Sequence, residues 1–88
     1  MNASQQHVWR LALQLHPQGQ RRTFDELALS LNGRNCRTTY GARYQGGRGV
    51  ARLVDATYHR LVALNQRADA RMVAEAFTDR NGNYPYLR

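Results

Sequence analysis

Residues 48–65, RGVARLVDATYHRLVALN, carry the clearest helical pattern in the chain and decide its fold class. Mostly apolar residues recur there with the 3.6-residue period of an α-helix and fall on one broad face. The residues of that face are Val50, Leu53, Val54, Thr57, Tyr58, Leu61 and Leu64. We therefore expect a long amphipathic helix, the third of the chain, with this face in the core.

The opposite face of this helix is polar and carries Arg48, Arg52, Asp55 and His59. Asp55 can pair with Arg52 or with His59 along the helix. We expect Asp55 and His59 to be solvated, whereas the two arginines are candidates for contact with a partner.

The segment before this helix, residues 33–49, has no periodicity and reads GRNCRTTYGARYQGGRG. It contains five glycines, four arginines and two tyrosines. Glycines let a backbone approach a phosphate closely, arginines neutralise it, and tyrosines stack on bases or hydrogen-bond a phosphate oxygen. Long loops inside a compact domain are uncommon and tend to be functional or disordered, and with this composition we expect a binding function here. The alternative is an ordinary flexible loop.

The end of this loop, Gln45–Gly49, places glycines directly before the third helix. Free amides at a helix N-terminus, reinforced by the helix dipole, attract anions, so the segment is a candidate for contact with a DNA phosphate. A P-loop nucleotide site is not expected, because the lysine and the serine or threonine of that pattern are missing. The alternative is that the glycines only shape a turn.

Upstream of the loop, residues 23–33 read TFDELALSLNG and predict a second helix over about residues 23–32. Thr23 and Glu26 have the spacing of a capping box, in which each side chain satisfies the other's free backbone amide. Asn32-Gly33 supplies the stop that a glycine provides after the last helical turn. The expected buried face holds Phe24, Leu27, Ala28 and Leu31.

The N-terminal segment predicts a first helix over about residues 4–16, with Ser4 as its N-cap. Pro17 disfavours helical geometry at His16, so the helix should stop there. Trp9 lies beside the apolar stripe, where we expect the edge of the core; partner binding or base stacking is the alternative. The stripe consists of Val8, Leu11, Ala12 and Leu15.

The C-terminal part admits two interpretations. Residues 68–78, ADARMVAEAFT, are rich in helix formers, which favours a fourth helix over about residues 69–78. In the alternative, Val73–Thr78 is a strand, and the Asn-Gly turn at residues 81–82 folds Tyr84–Leu87 back beside it as a small β-hairpin wing. Pro85 would confine that second strand to an edge, because proline removes a donor from the ladder.

The charge of the chain points to a polyanionic partner. All thirteen basic residues are arginine and six carboxylates oppose them, which gives a net charge of +7 and a pI of about 10.8. Such a surplus favours DNA or RNA and makes binding strongly salt-dependent. Arginine also grips a phosphate or a guanine edge with two hydrogen bonds. The alternative is a coding bias toward arginine on a merely solvated basic surface.

Size and cysteine content exclude several classes of protein. At 88 residues the chain is expected to form one domain, residues 1–88, because two units would each lack a sufficient core. Cys36 is the only cysteine, so no disulfide can form within the chain and a secreted disulfide scaffold is excluded. No apolar stretch of about 18 residues and no signal-peptide pattern is present, so we expect a cytoplasmic protein.

Metal, cofactor and catalytic chemistry have little support. Cys36 and the histidines, at positions 7, 16 and 59, lack the paired short spacings of zinc sites. Asp79-x-Asn81-Gly82 resembles half of a calcium loop but lacks its terminal carboxylate, so a turn is expected. Cys36 has arginine neighbours but no histidine near it in sequence. We therefore expect no metal, no cofactor and no enzymatic activity.

The order of a first helix, a capped short helix and a longer third helix resembles the tri-helical core of helix-turn-helix and winged-helix DNA-binding regulators. The resemblance covers roughly residues 4–65, and TFDELALSLNG looks like the helix before the turn in bacterial and phage members. It implies that the following helix enters the major groove. The family turn is short, however, whereas about fourteen residues follow Gly33 here. Either a short recognition helix lies within Arg34–Tyr44, or the loop itself makes the contacts.

Together these patterns predict a mainly α domain of about four helices with a helix-turn-helix-like core, which binds DNA as a small transcriptional regulator. Arg43, Arg48 and Arg52 are assigned to phosphate or guanine contacts. Tyr40 and Tyr44 are assigned to stacking or to phosphate hydrogen bonds. The full set of candidate nucleic-acid-binding residues is Arg34, Arg37, Thr38, Thr39, Tyr40, Arg43, Tyr44, Gln45, Arg48 and Arg52.

The partner assignment has two alternatives. The chain can instead be a protein-interaction module that docks an acidic partner surface, because arginine and tyrosine are also enriched in protein interfaces. It can also bind RNA or a single strand through its tyrosines. A homodimer is a reasonable expectation, since many such regulators match two half-sites.

Overall fold

The fold consists of four helices and two very short strands, in a computed structural model that describes residues 1–84. One turn of 3₁₀ helix, His16–Gln18, follows the first helix. The helices are α1 (Ala3–Leu15), α2 (Phe24–Gly33), α3 (Arg48–Ala63) and α4 (Arg67–Ala76), and the strands are β1 (Arg22–Thr23) and β2 (Phe77–Thr78). The mainly α fold is therefore confirmed. Within residues 1–84, no helix has the length and apolar character needed to cross a membrane.

Helix α1 is capped by Asn2 and not by Ser4 as expected. The Asn2 side chain accepts a hydrogen bond from the Gln5 amide (2.8 Å), and the Gln5 side chain accepts one from the Asn2 amide (3.2 Å). Ser4 lies in the first turn, where it is buried and its hydroxyl donates to the carbonyl oxygen of Arg37 (3.3 Å). Asn2 and Gln5 have the spacing of a capping box, so the sequence contained a signal for Asn2 that the prediction missed.

Helix α1 ends within one residue of the predicted boundary, but not for the expected reason. His16, which Pro17 was expected to exclude from helical geometry, keeps it, with a φ of −57° and a ψ of −50°. The helix stops at Leu15, and the chain continues through the 3₁₀ turn to Gly19, which has a φ of +64°. Val8, Ala12 and Leu15 are buried as expected, and Leu11 is half-buried against the core.

Helix α2 begins with the predicted capping box. Thr23 Oγ1 accepts a hydrogen bond from the Glu26 amide (3.2 Å), and Glu26 Oε1 accepts one from the Thr23 amide (3.0 Å). The bond from the Thr23 amide is the main reason why the pKa of Glu26 lies below its usual value. The predicted inner face, which is Phe24, Leu27, Ala28 and Leu31, is entirely buried.

Helix α2 ends one residue later than predicted, and an asparagine, not a glycine, makes the stop. Gly33 is still helical, and Asn35 takes the left-handed conformation with a φ of +58°. The Cys36 amide donates to the carbonyl oxygen of Leu31 (2.9 Å), which satisfies an acceptor at the helix end. This is the Schellman arrangement, which asparagine tolerates next best after glycine.

Helix α3 ends in the same way, two residues before the predicted boundary. Asn65 has a φ of +61°, and the Gln66 amide donates to the carbonyl oxygen of Leu61 (2.8 Å). Leu64 lies beyond the last helical turn and is 46% exposed. Its predicted place in the core is wrong, because the helical period does not continue past the point at which the chain turns.

The core lies where α1, α3 and α4 pack together, and α2 packs against α3. The inner face of α3 is buried as predicted, except for half-buried Tyr58 and exposed Leu64. Buried Thr57 satisfies its hydroxyl by donating to the carbonyl oxygen of Leu53 (2.8 Å). The largest fully buried side chains are Phe77, Leu27, Leu31, Leu61, Val8, Val50, Val54, Val73 and Thr57.

The fourth helix is confirmed but ends at Ala76, two residues earlier than predicted. Its last residues include Val73, so the alternative in which Val73–Thr78 forms a wing strand is wrong. Strand β2 instead pairs in parallel with β1, with Arg22 opposite Phe77. The buried Phe77 ring holds this pair against the core.

The predicted turn after β2 is present. Gly82 has a φ of +82°, and its amide donates to the carbonyl oxygen of Asp79 (3.1 Å). The Asp79 amide donates to the carbonyl oxygen of Asn83 (2.9 Å). The remainder of the segment assigned to the second wing strand, residues 85–87, lies outside the described residues.

Candidate nucleic-acid interface

The connection between α2 and α3, residues 34–47, contains no helix, so the short recognition helix considered for Arg34–Tyr44 is absent. The rest of the fold holds this connection at its start. Cys36 is half-buried against the core, and Ser4 of α1 bonds the carbonyl oxygen of Arg37 (3.3 Å). The connection therefore leaves α2 on a defined path beside the first turn of α1.

A second anchor lies at Tyr44. The Tyr44 amide donates to Asn32 Oδ1 (2.8 Å), and Asn32 Nδ2 donates to the Tyr44 carbonyl oxygen (2.7 Å). The Tyr44 side chain is 9% exposed and belongs to the core. A buried ring cannot stack on a base, so the binding role predicted for Tyr44 is wrong. The sequence did not distinguish it from Tyr40, because an aperiodic segment carries no pattern of burial.

Between the two anchors, residues 38–43 form a turn that we call the tip. Thr38 organises it: the Thr38 carbonyl oxygen accepts from the Gly41 amide (2.9 Å), and Thr38 Oγ1 accepts from the Ala42 amide (3.0 Å). Gly41 has a φ of +80°, which a glycine adopts without strain. Tyr40 is 97% exposed at the tip, which leaves both faces of its ring accessible.

The connection ends at the N-terminus of α3, where the predicted glycine turn is present. Gly47 is the N-cap, with a φ of +81°, and no side chain caps the helix. The first amides of α3 consequently have no side-chain acceptor within residues 1–84. Arg48 and Arg52 are exposed and lie one turn apart on the helix.

Gly46 lies so close to the side chain of Asp25 that its lack of a Cβ atom matters for packing. A Cβ atom at this position would collide with the Asp25 carboxylate, whereas a Cβ atom on Gly49 would meet nothing within 4 Å. We expect Gly46→Ala to lower the free energy of unfolding by up to about 1 kcal/mol, because the Asp25 carboxylate must rotate away from its ion pair with Arg80. Gly49→Ala should leave it unchanged or raise it by up to about 1 kcal/mol, because alanine is the better helix former.

Urea unfolding of the two alanine variants measures this difference. In a protein that already carries Asp25→Ala, Gly46→Ala should lower the free energy of unfolding by less, because the colliding carboxylate is absent. Equal effects of the two single substitutions would show that Asp25 does not restrict position 46.

A cavity of about 510 Å³ lies beside this glycine turn and was not evident from the sequence. Arg80 Nε donates to Asp25 Oδ2 (2.7 Å) at its wall, which joins the turn after β2 to the start of α2. The cavity is lined by Phe24, Asp25, Gln45, Gly46, Gly47, Asp79, Arg80 and Asn81.

Nine of the ten candidate residues have exposed or half-buried side chains, and Tyr44 is the buried one. Arg37 is half-buried, and its Nη1 donates to the carbonyl oxygen of Cys36 (2.9 Å). Thr38 is half-buried at the base of the tip. The exposed candidates are Arg34, Thr39, Tyr40, Arg43, Gln45, Arg48 and Arg52. None of the candidate arginines has a carboxylate of residues 1–84 within 4.0 Å.

A second basic cluster, which the sequence did not reveal, brings together His7, Arg10 and Arg34. Partial burial is the main reason why the pKa of His7 lies below its usual value, and the charges of Arg34 and Arg10 lower it further. His7 Nε2 lies 2.8 Å from the Ser30 hydroxyl oxygen, which ties α1 to α2. The charge of Arg34, which lies at the start of the connection, therefore also acts on a side chain of α1.

The lowered pKa of His7 predicts a pH dependence of stability. The unfolded chain, with a histidine pKa of about 6.5, binds the proton more readily than the folded chain. The free energy of unfolding should therefore be highest above about pH 7 and fall as the pH drops through 6.5 toward the lower folded-state pKa. Urea unfolding between about pH 7.5 and 5.5 measures this dependence. His7→Gln should make the free energy of unfolding vary less with pH over that range. If the substitution left the pH dependence unchanged, groups other than His7 would be its cause.

The remaining acidic and metal-binding side chains do not form a site. Within residues 1–84, no group of three histidine, cysteine, aspartate or glutamate side chains is placed to hold a metal ion. Asp79 Oδ1 accepts hydrogen bonds from the amides of Asn81 (2.8 Å) and Asn83 (2.9 Å). The Asn83 bond is the largest cause of the lowered pKa of Asp79, and these bonds identify the segment as a turn.

Comparison with known proteins adds no assignment, since no family model, no curated protein and no solved structure matches this chain.

Proposed function

We propose that this protein binds duplex DNA through the tip and the N-terminal turns of α3, as a small regulator of the helix-turn-helix type. The observation that carries the proposal is the exposure and the uncompensated charge of three side chains, those of Arg43, Arg48 and Arg52. All three are exposed, and none has a carboxylate of residues 1–84 within 4.0 Å. Cations in this state are available to neutralise phosphates and to release counterions.

The division of roles follows the local geometry. Arg48 and Arg52 lie one turn apart on a helix whose first amides lack a side-chain cap, which suits contact with the phosphate backbone. Arg43 extends from the tip next to the Asn32–Tyr44 anchor. Tyr40 donates a hydrogen bond to a phosphate or stacks on an accessible base.

The anchors make the connection suitable for this task. An interface that is held before binding loses little conformational entropy when the complex forms. Here the Ser4–Arg37 and Asn32–Tyr44 bonds hold both sides of the tip. In this proposal the tip supplies the contacts that a recognition helix would otherwise make in residues 34–47.

A salt titration tests the proposal. We expect the wild-type protein to bind a fluorescent duplex of about 20 base pairs, with a log–log slope of affinity against salt of several units. No measurable binding at about 50 mM salt would overturn the proposal. Tighter binding to a single strand of the same length would assign the surface to single-stranded nucleic acid through Tyr40 instead.

A further inference from the structure

A groove of about 510 Å³ lies between α1 and the C-terminal end of α3, on residues that the proposed DNA contacts do not use. Its lining combines apolar side chains with one cation and no carboxylate. The lining residues are Met1, Gln6, Trp9, Arg10, Leu13 and Leu64.

Two leucines give the groove an exposed apolar surface. Leu13 is 39% exposed, and Leu64, which the turn after α3 removes from the core, is 46% exposed. Single exposed leucines are ordinary on a protein surface. These two line one groove together with Trp9, so their apolar atoms lie together on one side of the protein.

Trp9 is a fixed wall of this groove. Its indole Nε1 donates to Asp69 Oδ2 of α4 (3.0 Å), and the ring is half-buried against the core. The bond holds the ring in one orientation before any partner arrives. Rigid aromatic side chains in preformed pockets supply a large share of binding energy in protein interfaces.

The charges around the groove indicate the chemistry of its occupant. Arg10 lines the groove, and Arg60 lies on α3 one turn before Leu64. Both are exposed, and neither has a carboxylate of residues 1–84 within 4.0 Å. The nearby Asp69 is engaged by Trp9. A second copy of this chain would bring like charges together, whereas an acidic partner would be attracted.

We propose that this groove binds an acidic amphipathic helix of a partner protein. The groove follows the Gln6–Leu13 face of α1, whose side chains are spaced by helical turns. A partner helix has the matching spacing, so two of its apolar side chains, one turn apart, contact Leu13 and Leu64. Carboxylates on the flanks of that helix face Arg10 and Arg60.

Trp9 is the only tryptophan of the chain and reports on the groove directly. The probe is a synthetic peptide of about 16 residues without tryptophan, with leucines along one helix face and glutamates on both flanks. We expect a saturable change in Trp9 fluorescence with a Kd below about 100 µM. A peptide with lysine in place of each glutamate should bind at least about tenfold more weakly.

Variants of the exposed residues locate the binding. L13A/L64A should remain folded, as far-UV circular dichroism checks, and lose at least about tenfold in peptide affinity. R67A/R71A on α4 removes the same charge as R10A/R60A, but only R10A/R60A should weaken peptide binding. An unchanged Trp9 signal at about 1 mM peptide, or equal binding of both peptides, would overturn the proposal.

Two other occupants of the groove are also distinguished. Self-association in sedimentation that L13A/L64A abolishes would replace the acidic partner with a second copy of this chain. A Trp9 shift with vesicles of an anionic phospholipid, without one for the acidic peptide, would replace it with a membrane surface.

Discussion

The double substitution R43A/R48A is expected to weaken binding to duplex DNA by at least tenfold at about 100 mM salt. Each arginine that neutralises one phosphate contributes about 0.9 to the log–log salt slope. Losing both contacts should therefore lower the magnitude of the slope by about 2, a change that fluorescence anisotropy over several salt concentrations resolves.

A matched variant separates local contact from overall charge. R67A/R71A removes two positive charges from α4, where Arg71 already pairs with Glu75 (2.6 Å). R67A/R71A changes the net charge by the same amount as R43A/R48A, but it should weaken DNA binding by less than about threefold if the tip and α3 form the interface. Equal losses in the two double variants would mean that binding depends only on the total charge, and the proposed interface would then be wrong.

Tyr44→Ala is expected to lower the free energy of unfolding by about 3 kcal/mol, because it empties a ring-sized space in the core. In a domain of this size, that corresponds to a fall in the melting temperature of about 12–24 °C. Tyr40→Ala should change stability by less than about 0.5 kcal/mol, because Tyr40 is 97% exposed. Thermal and urea unfolding measure both values.

The same pair of tyrosines separates stability from binding. Tyr44→Phe should keep most of the wild-type stability, since the ring still fills its place in the core. Tyr40→Ala should weaken DNA binding while the protein remains folded. If Tyr44→Ala were as stable as the wild type, Tyr44 would be a surface residue and the anchor at the end of the tip would be wrong.

Local patterns predicted the helices well, and the errors occur where more than one residue could play the same part. The Thr23–Glu26 capping box and the inner faces of α2 and α3 depend on contacts within a few residues along the chain. The Asn2–Gln5 capping box has the same local spacing, so the prediction of Ser4 as the cap missed a pattern that the sequence contains. The role that Ser4 takes instead depends on its contact with the carbonyl oxygen of Arg37. That contact joins residues 33 positions apart, so no local pattern contains it.

The sequence predicted which segment forms the candidate site, but not the contacts that hold this segment in place. Composition identified residues 33–49, because glycine, arginine and tyrosine are concentrated there. It did not predict that Asn32 binds both main-chain polar groups of Tyr44 or that Arg80 reaches Asp25. The helix-turn-helix resemblance remains a prediction. It depends on the order of the helices, whereas the connection between α2 and α3 is longer than the turn of that family and contains no helix.

The sequence by itself determined the mainly α class, the three main helix faces and the basic character, because periodicity, capping and net charge are local or additive properties of the residues. Only the tertiary structure decided which tyrosine is buried, that Trp9 bonds Asp69, and that β2 pairs with β1. Those outcomes depend on contacts between residues distant in sequence, which form only when the helices pack around a shared core.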